Sequence, residues 1–322
     1  MEPEVSVIVA CFNKERYIEQ SLNSVLQQSF GNFELIVVDD CSTDGSVALV
    51  KSMQARDGRI RLAANAENRG ANVCRNEGIR LARGKYLVFF DADDLLASHC
   101  LEQRVRLMKS DEKLDVAVHT MQVFRQSPGD SAYNWLPDVA HPLNAFLAHD
   151  LPWQTMQPIW KKEVIGKAGG FDEAFSRLQD VELHTRLLLD KNLHYRLVNG
   201  APDCYYRTDE SRKNFEELNF LQRWTSASVQ YCSKFERLAP PGLKKFLFGT
   251  VFQTYLSVLL SCKAKKISRP ELALLEEKLL EQPLMSAAPP RVKLVLKLAR
   301  AYNLGFARIP GLNRFLKKFV VF

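Results

Sequence analysis

The chain has 322 residues, a net charge of +7, 46% hydrophobic residues and 25% charged residues. This is ordinary globular composition and excludes a disordered, collagen-like or low-complexity protein. The length suffices for one large domain or two small ones. Seven cysteines are scattered without a Cys-x-x-Cys pair, which predicts reduced thiols and a cytosolic setting. The opening MEPEVSVIVA has no basic residue before its apolar run, so the run reads as a strand and not as a secretory signal.

Val5–Ala10 and Phe33–Asp39 are unbroken apolar runs that predict buried strands. Between them, Ile18, Leu22, Val25 and Leu26 recur at helical spacing over 14–29. A helix over about 44–55, a short strand at 60–64 and a helix over 70–83 follow. The run KYLVFF (85–90) is a fourth strand and ends in Asp91-Ala92-Asp93-Asp94. A helix at 98–109 and a strand over 114–124 come next. Residues 125–150, rich in Pro, Gly, Ser, Asp and Asn, read as loops with little structure. Residues 180–190 read as helix, as do 215–262 and 271–282. The uncharged stretch Phe246–Cys262 contains Gly249, Thr250, Gln253, Thr254, Ser257 and Ser261. It is shorter than the roughly 20 predominantly apolar residues of a membrane span and reads as a buried helix. Alternation of helices with apolar strands predicts an α/β fold with a mostly parallel sheet.

Ligands of such sheets bind beyond the carboxyl ends of the strands. Asp39, Asp40, Asp91, Asp93 and Asp94 all fall at strand ends. Several acids at one edge repel each other unless a cation sits among them, so the pattern points to a divalent metal, a nucleotide, or both. Carboxylates two apart can address one hard cation, or one a cation and the other a sugar hydroxyl. A second acidic pair, Asp180-Val181-Glu182, follows Gly169-Gly170-Phe171-Asp172 at a helix start. One of its carboxylates can act as a general base or serve only the helix dipole.

Four segments, VSVIVACFN (5–13), FELIVVDDCSTDGS (33–46), NRGANVCRNEGIRLARGKYLVFFDADD (68–94) and GGFDEAFSRLQDVELHTRL (169–187), resemble the family 2 glycosyltransferases in order and spacing. The resemblance covers about residues 4–210. It implies a GT-A (Rossmann-like) α/β fold over 1–215, with a donor half to about residue 95 and an acceptor half over 96–215. A helical, basic region over 216–322 follows. It implies an inverting enzyme that moves one sugar from a nucleotide-sugar, most often a UDP-sugar, to a hydroxyl of a glycan or lipid-linked acceptor. Position by position, Ala10 and Phe12 stand where the base is held, Phe12 by stacking. Asp40 stands where a carboxylate accepts the ring N–H, and Arg75 where a cation faces the nucleotide. Asp91 and Asp93 match the donor and metal motif, for Mn²⁺ or Mg²⁺, and Asp180 matches the catalytic base. Gln179 departs from the family, which commonly has Glu before that Asp. Trp153 and Trp160 are either an acceptor platform or core packing.

Residues 240–322 carry 15 Lys/Arg against four Asp/Glu, a net of +11 that leaves −4 on the first 239 residues. On a helix over 291–302, Val292, Val295, Leu296, Ala299 and Tyr302 oppose Lys293, Lys297 and Arg300. Basic residues with bulky apolar ones suggest peripheral contact with an anionic membrane through 286–322, or a surface helix packed on the core. No nucleic-acid module signature appears. The expected setting is cytoplasmic, on the inner face of the cell membrane, in surface polysaccharide or lipopolysaccharide assembly. An inactive sugar-nucleotide or glycan-binding scaffold and a nucleotidyltransferase remain alternatives.

Overall fold

The computed structural model describes residues 2–208, 216–305 and 311–321. In chain order the elements are β1 (Val5–Cys11), α1 (Ile18–Leu26), β2 (Phe33–Asp39), α2 (Ser46–Gln54), β3 (Ile60–Ala64), α3 (Ala71–Leu81), β4 (Tyr86–Asp91), β5 (Leu95–Leu96), α4 (Cys100–Ser110), β6 (Val116–Val118), β7 (Met121–Phe124) and β8 (Asn134–Trp135). There follow α5 (Pro142–Leu147), β9 (Pro158–Lys161), α6 (Lys162–Lys167), α7 (Gln179–Leu188), β10 (Tyr195–Leu197), β11 (Cys204–Arg207), α8 (Glu217–Leu238), α9 (Leu247–Lys263), α10 (Arg269–Leu280), α11 (Pro283–Ser286), α12 (Pro290–Gly305) and α13 (Leu312–Val321).

These elements form two compact units. The first takes Met1–Val139, Pro152–Ala174 and Asp190–Ser211, and the second Ala140–Leu151, Phe175–Leu189 and Arg212–Phe322. The grouping differs from a single division near residue 215, because α5 and α7 join the C-terminal helices.

The first unit is built on a seven-stranded sheet of order β10-β6-β9-β4-β1-β2-β3. Every pairing is parallel except those of β9, which runs antiparallel to β4 and β6. β1 and β2 are largely apolar because both faces are covered. The buried polar residues Ser6 and Glu34 satisfy each other, Ser6 Oγ donating to Glu34 Oε1 at 2.8 Å, and Val5, Val7, Ile8, Leu35, Ile36 and Val37 are all fully buried. Burying each such side chain contributes about 1.5–3 kcal/mol. α3 packs so closely on β1 that a Cβ at Gly78 would collide with Ile8 Cγ2. A smaller sheet has the order β5-β11-β7-β8.

The predicted strand over 114–124 is two strands in different sheets. The chain leaves the large sheet at His119-Thr120, where the His119 N–H donates to the Gln157 carbonyl and the Asp203 N–H to the Thr120 carbonyl. Residues 125–150 hold more structure than expected, since β8 and α5 lie there; Pro142 opens α5 at a position that needs no backbone donor. The helix expected over 14–29 starts only at Ile18, after a turn in which the Lys14 carbonyl accepts from the N–H groups of Tyr17 and Ile18. The long helical pattern from 215 breaks at Pro240-Pro241 into α8 and α9, with a 3-10 turn between them.

In the second unit α9 is the central helix, as its buried reading predicts. Pro241–Lys263 is, among the described residues, the only helical stretch apolar and long enough to cross a membrane, and 67% of its most apolar window is buried. A Cβ at Gly249 would meet the Ala148 backbone at 2.8 Å, and Thr250 Oγ1 donates to the Leu147 carbonyl at 2.8 Å. α7 is tied to α8 twice: Thr185 Oγ1 lies 2.6 Å from the Tyr231 hydroxyl, and Lys234 Nζ lies 2.7 Å from the buried Glu182 carboxylate. Trp224 stacks on Phe220 and meets His149 edge-on, so it contributes packing to α8.

Candidate active site

Strand register assembles the first unit's acids. Ala10, near the end of β1, is paired in register with Val38 on one side and Asp91 on the other. One residue further, Cys11 pairs with Asp39, and its carbonyl accepts from the Asp40 N–H at 2.8 Å. Asp40, Asp91 and Asp93 therefore emerge at the carboxyl ends of adjacent parallel strands, the edge where such sheets bind ligands.

Asp40 is buried and holds the loop that leads into α3. Its Oδ1 accepts from the Arg69 N–H at 2.9 Å and from Asn65 Nδ2 at 3.0 Å, and its Oδ2 from the Gly70 N–H at 2.7 Å. Burial pushes this carboxyl upward. The donors from Arg69, Asn65 and Gly70 prevail and hold it below the ordinary carboxylate range. Gly70 has φ +92°, which lets it turn its N–H toward Asp40 before α3 begins. Oδ2 accepts a single one of these bonds, which leaves it acceptor capacity.

Phe12 follows, 44% exposed. The turn beneath it is fixed by Asn13, in a left-handed conformation (φ 51°), whose N–H donates to Ser42 Oγ and whose Oδ1 accepts from the Thr43 N–H. An aromatic face is thus presented on a rigid turn.

Both acids of the Asp91-Ala92-Asp93 motif face protein cations. Arg75 Nη2 lies 3.0 Å from Asp91 Oδ1, and Lys14 Nζ lies 2.7 Å from Asp93 Oδ2. Arg75 is itself positioned, with its guanidinium 5.3 Å from the Phe171 ring centroid. Phe171 meets Phe89 edge-on at 4.9 Å. The Gly169-Gly170-Phe171-Asp172 segment is fastened to α3 by Asn76, which accepts from the Phe171 N–H and donates to the Phe171 carbonyl, and by Asn72, which donates to the Asp172 carbonyl. At Gly170, φ is +72° and an added Cβ would press on Asn76 Oδ1. The second glycine of the pair is therefore a geometric requirement of the loop that seats Arg75.

Two residues here carried no sequence signal of their own. Lys14 sits in a turn, and only the tertiary fold brings it to Asp93. Arg207, buried at the end of β11, donates from Nε to the Asp93 carbonyl and from its backbone N–H to Asp94 Oδ1. Its guanidinium lies 4.8 Å from the Tyr17 ring centroid and 4.5 Å from that of Phe124. It clamps the backbone of the acidic turn.

Trp153 and Trp160 are fully buried. Neither offers a ring face to a sugar, so of the two readings they fill the core-packing one, Trp160 within β9. Asp180 and Gln179, both half-buried, belong to the second unit at the start of α7. Leu178 turns the chain into that helix from a left-handed conformation (φ 58°), and Asp180 Oδ1 accepts from the Val181 N–H at 3.0 Å. His184, one turn on, is buried and its imidazole is pushed down to about 3 by desolvation, against the opposing pull of Glu182. It is a neutral packing residue.

Among the described residues no group of three or more His, Cys, Asp or Glu side chains is placed to hold a metal. Asp91 and Asp93 suit instead a hard cation that takes one or two carboxylates and completes its shell with substrate phosphates.

Comparison with known proteins agrees with this geometry. Residues 6–174 match the family described as Glycosyl transferase family 2. MJ1057 of Methanocaldococcus jannaschii, named an uncharacterized glycosyltransferase, is 26% identical over 82% of this chain and 95% of its own. WfgD of Escherichia coli, named a UDP-Glc:α-D-GlcNAc-diphosphoundecaprenol β-1,3-glucosyltransferase, is 36% identical over 32% of this chain and 40% of its own. TuaG of Bacillus subtilis, whose name places it in teichuronic acid biosynthesis, is 41% identical over 33% of this chain, and the match spans 42% of TuaG. Among solved structures, Staphylococcus aureus TarS 1–349 superposes with a TM-score of 0.64 at 18% identity, covering 99% of this chain and 90% of that one. The mannosyltransferase PcManGT of Pyrobaculum calidifontis, solved with GDP-Man and Mn²⁺, gives 0.56 at 22% identity, covering 95% and 88%. The sheet and the helices around it are those of the GT-A fold, a helical C-terminal region accompanies them, and the chain belongs to glycosyltransferase family 2.

Proposed function

We propose that the protein transfers one hexosyl or N-acetylhexosaminyl residue, with inversion, from a nucleoside-diphosphate sugar to a hydroxyl of a glycan or lipid-linked acceptor. A UDP-sugar is the favoured donor, and surface polysaccharide or lipopolysaccharide assembly the favoured setting. The observation that carries this reading is the register that sets Ala10 beside Asp91, with Asp40 and Asp93 next to them. Phe12 stacks on the base, Asp40 accepts its ring N–H, and Arg75 faces the nucleotide. Asp180 takes the proton of the acceptor hydroxyl as that oxygen attacks the anomeric carbon and the nucleoside diphosphate departs from the opposite face. A divalent cation, Mn²⁺ or Mg²⁺, fits Asp91 and Asp93, and when bound it offsets the charge of the leaving diphosphate. The diphosphoundecaprenol-linked acceptor in the name of WfgD supports a lipid-linked acceptor. A cytoplasmic enzyme held peripherally at the membrane through 286–322 accords with such an acceptor.

Calorimetry with the diphosphates of uridine, thymidine, guanosine, adenosine and cytidine, with Mn²⁺, Mg²⁺ or chelator, tests the donor site. Metal-dependent binding of uridine diphosphate, lost in Asp93→Ala, is expected. Binding of none of the five would leave the scaffold reading in its place.

Lys14 adds a second test. A cation that takes Asp93 must compete with the Lys14 ammonium, which lies 2.7 Å from its Oδ2. Lys14→Met is therefore expected to tighten Mn²⁺ binding by the nucleotide-free protein about tenfold, read by the loss of the free Mn²⁺ paramagnetic resonance signal. Unchanged affinity would place the cation elsewhere.

A further inference from the structure

The last two helices repeat one short pattern. α12 contains Lys293-Leu294 and, four residues on, Lys297-Leu298. α13 contains Arg314-Phe315 and, four residues on, Lys318-Phe319. Each pattern is a cation followed by a bulky apolar residue, renewed after one helical turn.

The burial of the two helices shows which side carries the pattern. In α12 the apolar face picked out by the sequence, Val292, Val295, Leu296, Ala299 and Tyr302, is buried within the second unit. That face is consumed by packing and is not the one available to a membrane. In α13 Leu316, Val320 and Val321 are likewise buried. Yet Leu294 and Leu298 are 57% and 48% exposed, and Phe315 and Phe319 are 55% and 51% exposed. Residues four apart lie on one stripe of a helix, so each helix turns an apolar pair outward. The two phenylalanine rings lie 4.7 Å apart.

The cations beside these pairs are available. Of the basic residues on α12 and α13, Arg300 pairs with Glu276 and Lys317 with Asp150. Lys293, Lys297, Arg314 and Lys318 have no ion-pair partner among the described residues. No Asp or Glu occurs in the sequence after Glu281. Helical positions advance by about 100°, which sets Lys297 beside Leu294 and Lys318 beside Phe315 on the same outward side.

Single exposed apolar residues such as Leu274 are ordinary, but pairs on one stripe beside unpaired cations are a pattern of their own. Glu276, Glu277 and Glu281 line the same groove as Lys293 and Lys297 without an ion pair to either, whereas α12 and α13 themselves carry no acid. An apolar pair flanked by such cations matches a surface that is anionic outside and hydrocarbon within. We infer that the outward stripes of α12 and α13 are a two-point docking surface for an anionic phospholipid bilayer. Leu294, Leu298, Phe315 and Phe319 enter the acyl boundary, while Lys293, Lys297, Arg314 and Lys318 remain at the headgroups. This deepens the membrane contact proposed above, gives it a different face from the one the sequence suggests, and does not depend on the transfer reaction.

The test is co-sedimentation of the full-length protein with phosphatidylcholine vesicles, with and without phosphatidylglycerol, at low and high salt. Binding is expected only to the anionic vesicles, and weaker in high salt. The variants L294S/L298S and F315S/F319S should each weaken partitioning about tenfold, and K297E/K318E should weaken it at low salt. Circular dichroism and uridine diphosphate binding, both expected to be unchanged, show that the variants are folded. A wild-type protein that stays with the supernatant, or apolar variants that bind vesicles as the wild type does, would falsify the proposal. Preference for RNA over anionic vesicles would also overturn it. If the wild type binds vesicles but no nucleotide, the transfer reading falls and the docking surface stands.

Discussion

Asp180→Asn is expected to bind the nucleotide diphosphate as the wild type does and to transfer sugar about 10²–10⁴-fold more slowly. Asparagine keeps the size of the side chain and its capacity to accept from the Val181 N–H, so the start of α7 should be undisturbed. What it loses is the basicity needed to take the acceptor proton. The measurement is single-turnover transfer at saturating donor, beside calorimetry of the diphosphate. An effect confined to kcat, with donor affinity unchanged, identifies a group that acts in the transition state. Transfer at the wild-type rate would remove Asp180 from the base position.

Asp203→Ala is expected to cost about 3–5 kcal/mol of stability, the typical result of stranding a buried charge. Asp203 and Arg104 are both fully buried and form a two-pronged pair, Nε to Oδ2 at 2.8 Å and Nη2 to Oδ1 at 2.6 Å. Gln103 Nε2 donates to the same carboxylate at 2.7 Å, and Arg104 Nη1 donates to the Met156 carbonyl at 2.9 Å. Removing the carboxylate leaves the guanidinium without counter-charge in the core. Desolvation pushes the Asp203 carboxyl up, but Arg104 outweighs it and holds it below the ordinary range. A carboxyl depressed on folding stabilises above its unfolded pKa, and that contribution fades as pH falls below it. The variant's deficit should therefore shrink on acidification. Urea denaturation at neutral and acid pH measures both effects. The double variant Arg104→Met/Asp203→Leu should recover part of the loss. A single variant within about 0.5 kcal/mol of wild type would be the behaviour of an ordinary surface site and would contradict the pair's role.

Apolar runs made β1, β2, β3 and β4 readable to within a residue, because β1, β2 and β4 are buried along nearly their whole length and the edge strand β3 still carries Ile60 and Leu62. The acids at their ends were readable for the same reason: a carboxylate after such a run has few structural uses. Lys14 and Arg207 were not readable. A lysine in a turn and an arginine at a strand end are ordinary until the fold sets them on Asp93. The Arg104–Asp203 pair was hidden by 99 residues of separation. The strand over 114–124 was misjudged because its apolar pattern runs through His119-Thr120, where the hydrogen bonding changes sheets. Of the two readings of α12, its apolar face meets the one in which it packs on the core. Its cleanest apolar stripe is the one the protein itself uses, and only burial identifies Leu294 and Leu298 as the pair left over.

The chain enters the second unit at 140–151, leaves it, re-enters at 175–189, and completes it only after 212. During synthesis Phe146, Leu147, Phe175, Leu183 and Leu187, all buried in the finished protein, emerge before the helices that cover them. The C-terminal third is thus not an appendage that can be exchanged by one cut. A chimera that took only 212–322 from a relative would seat α5 and α7 against foreign partners, so the second unit exchanges intact only when all three segments move together.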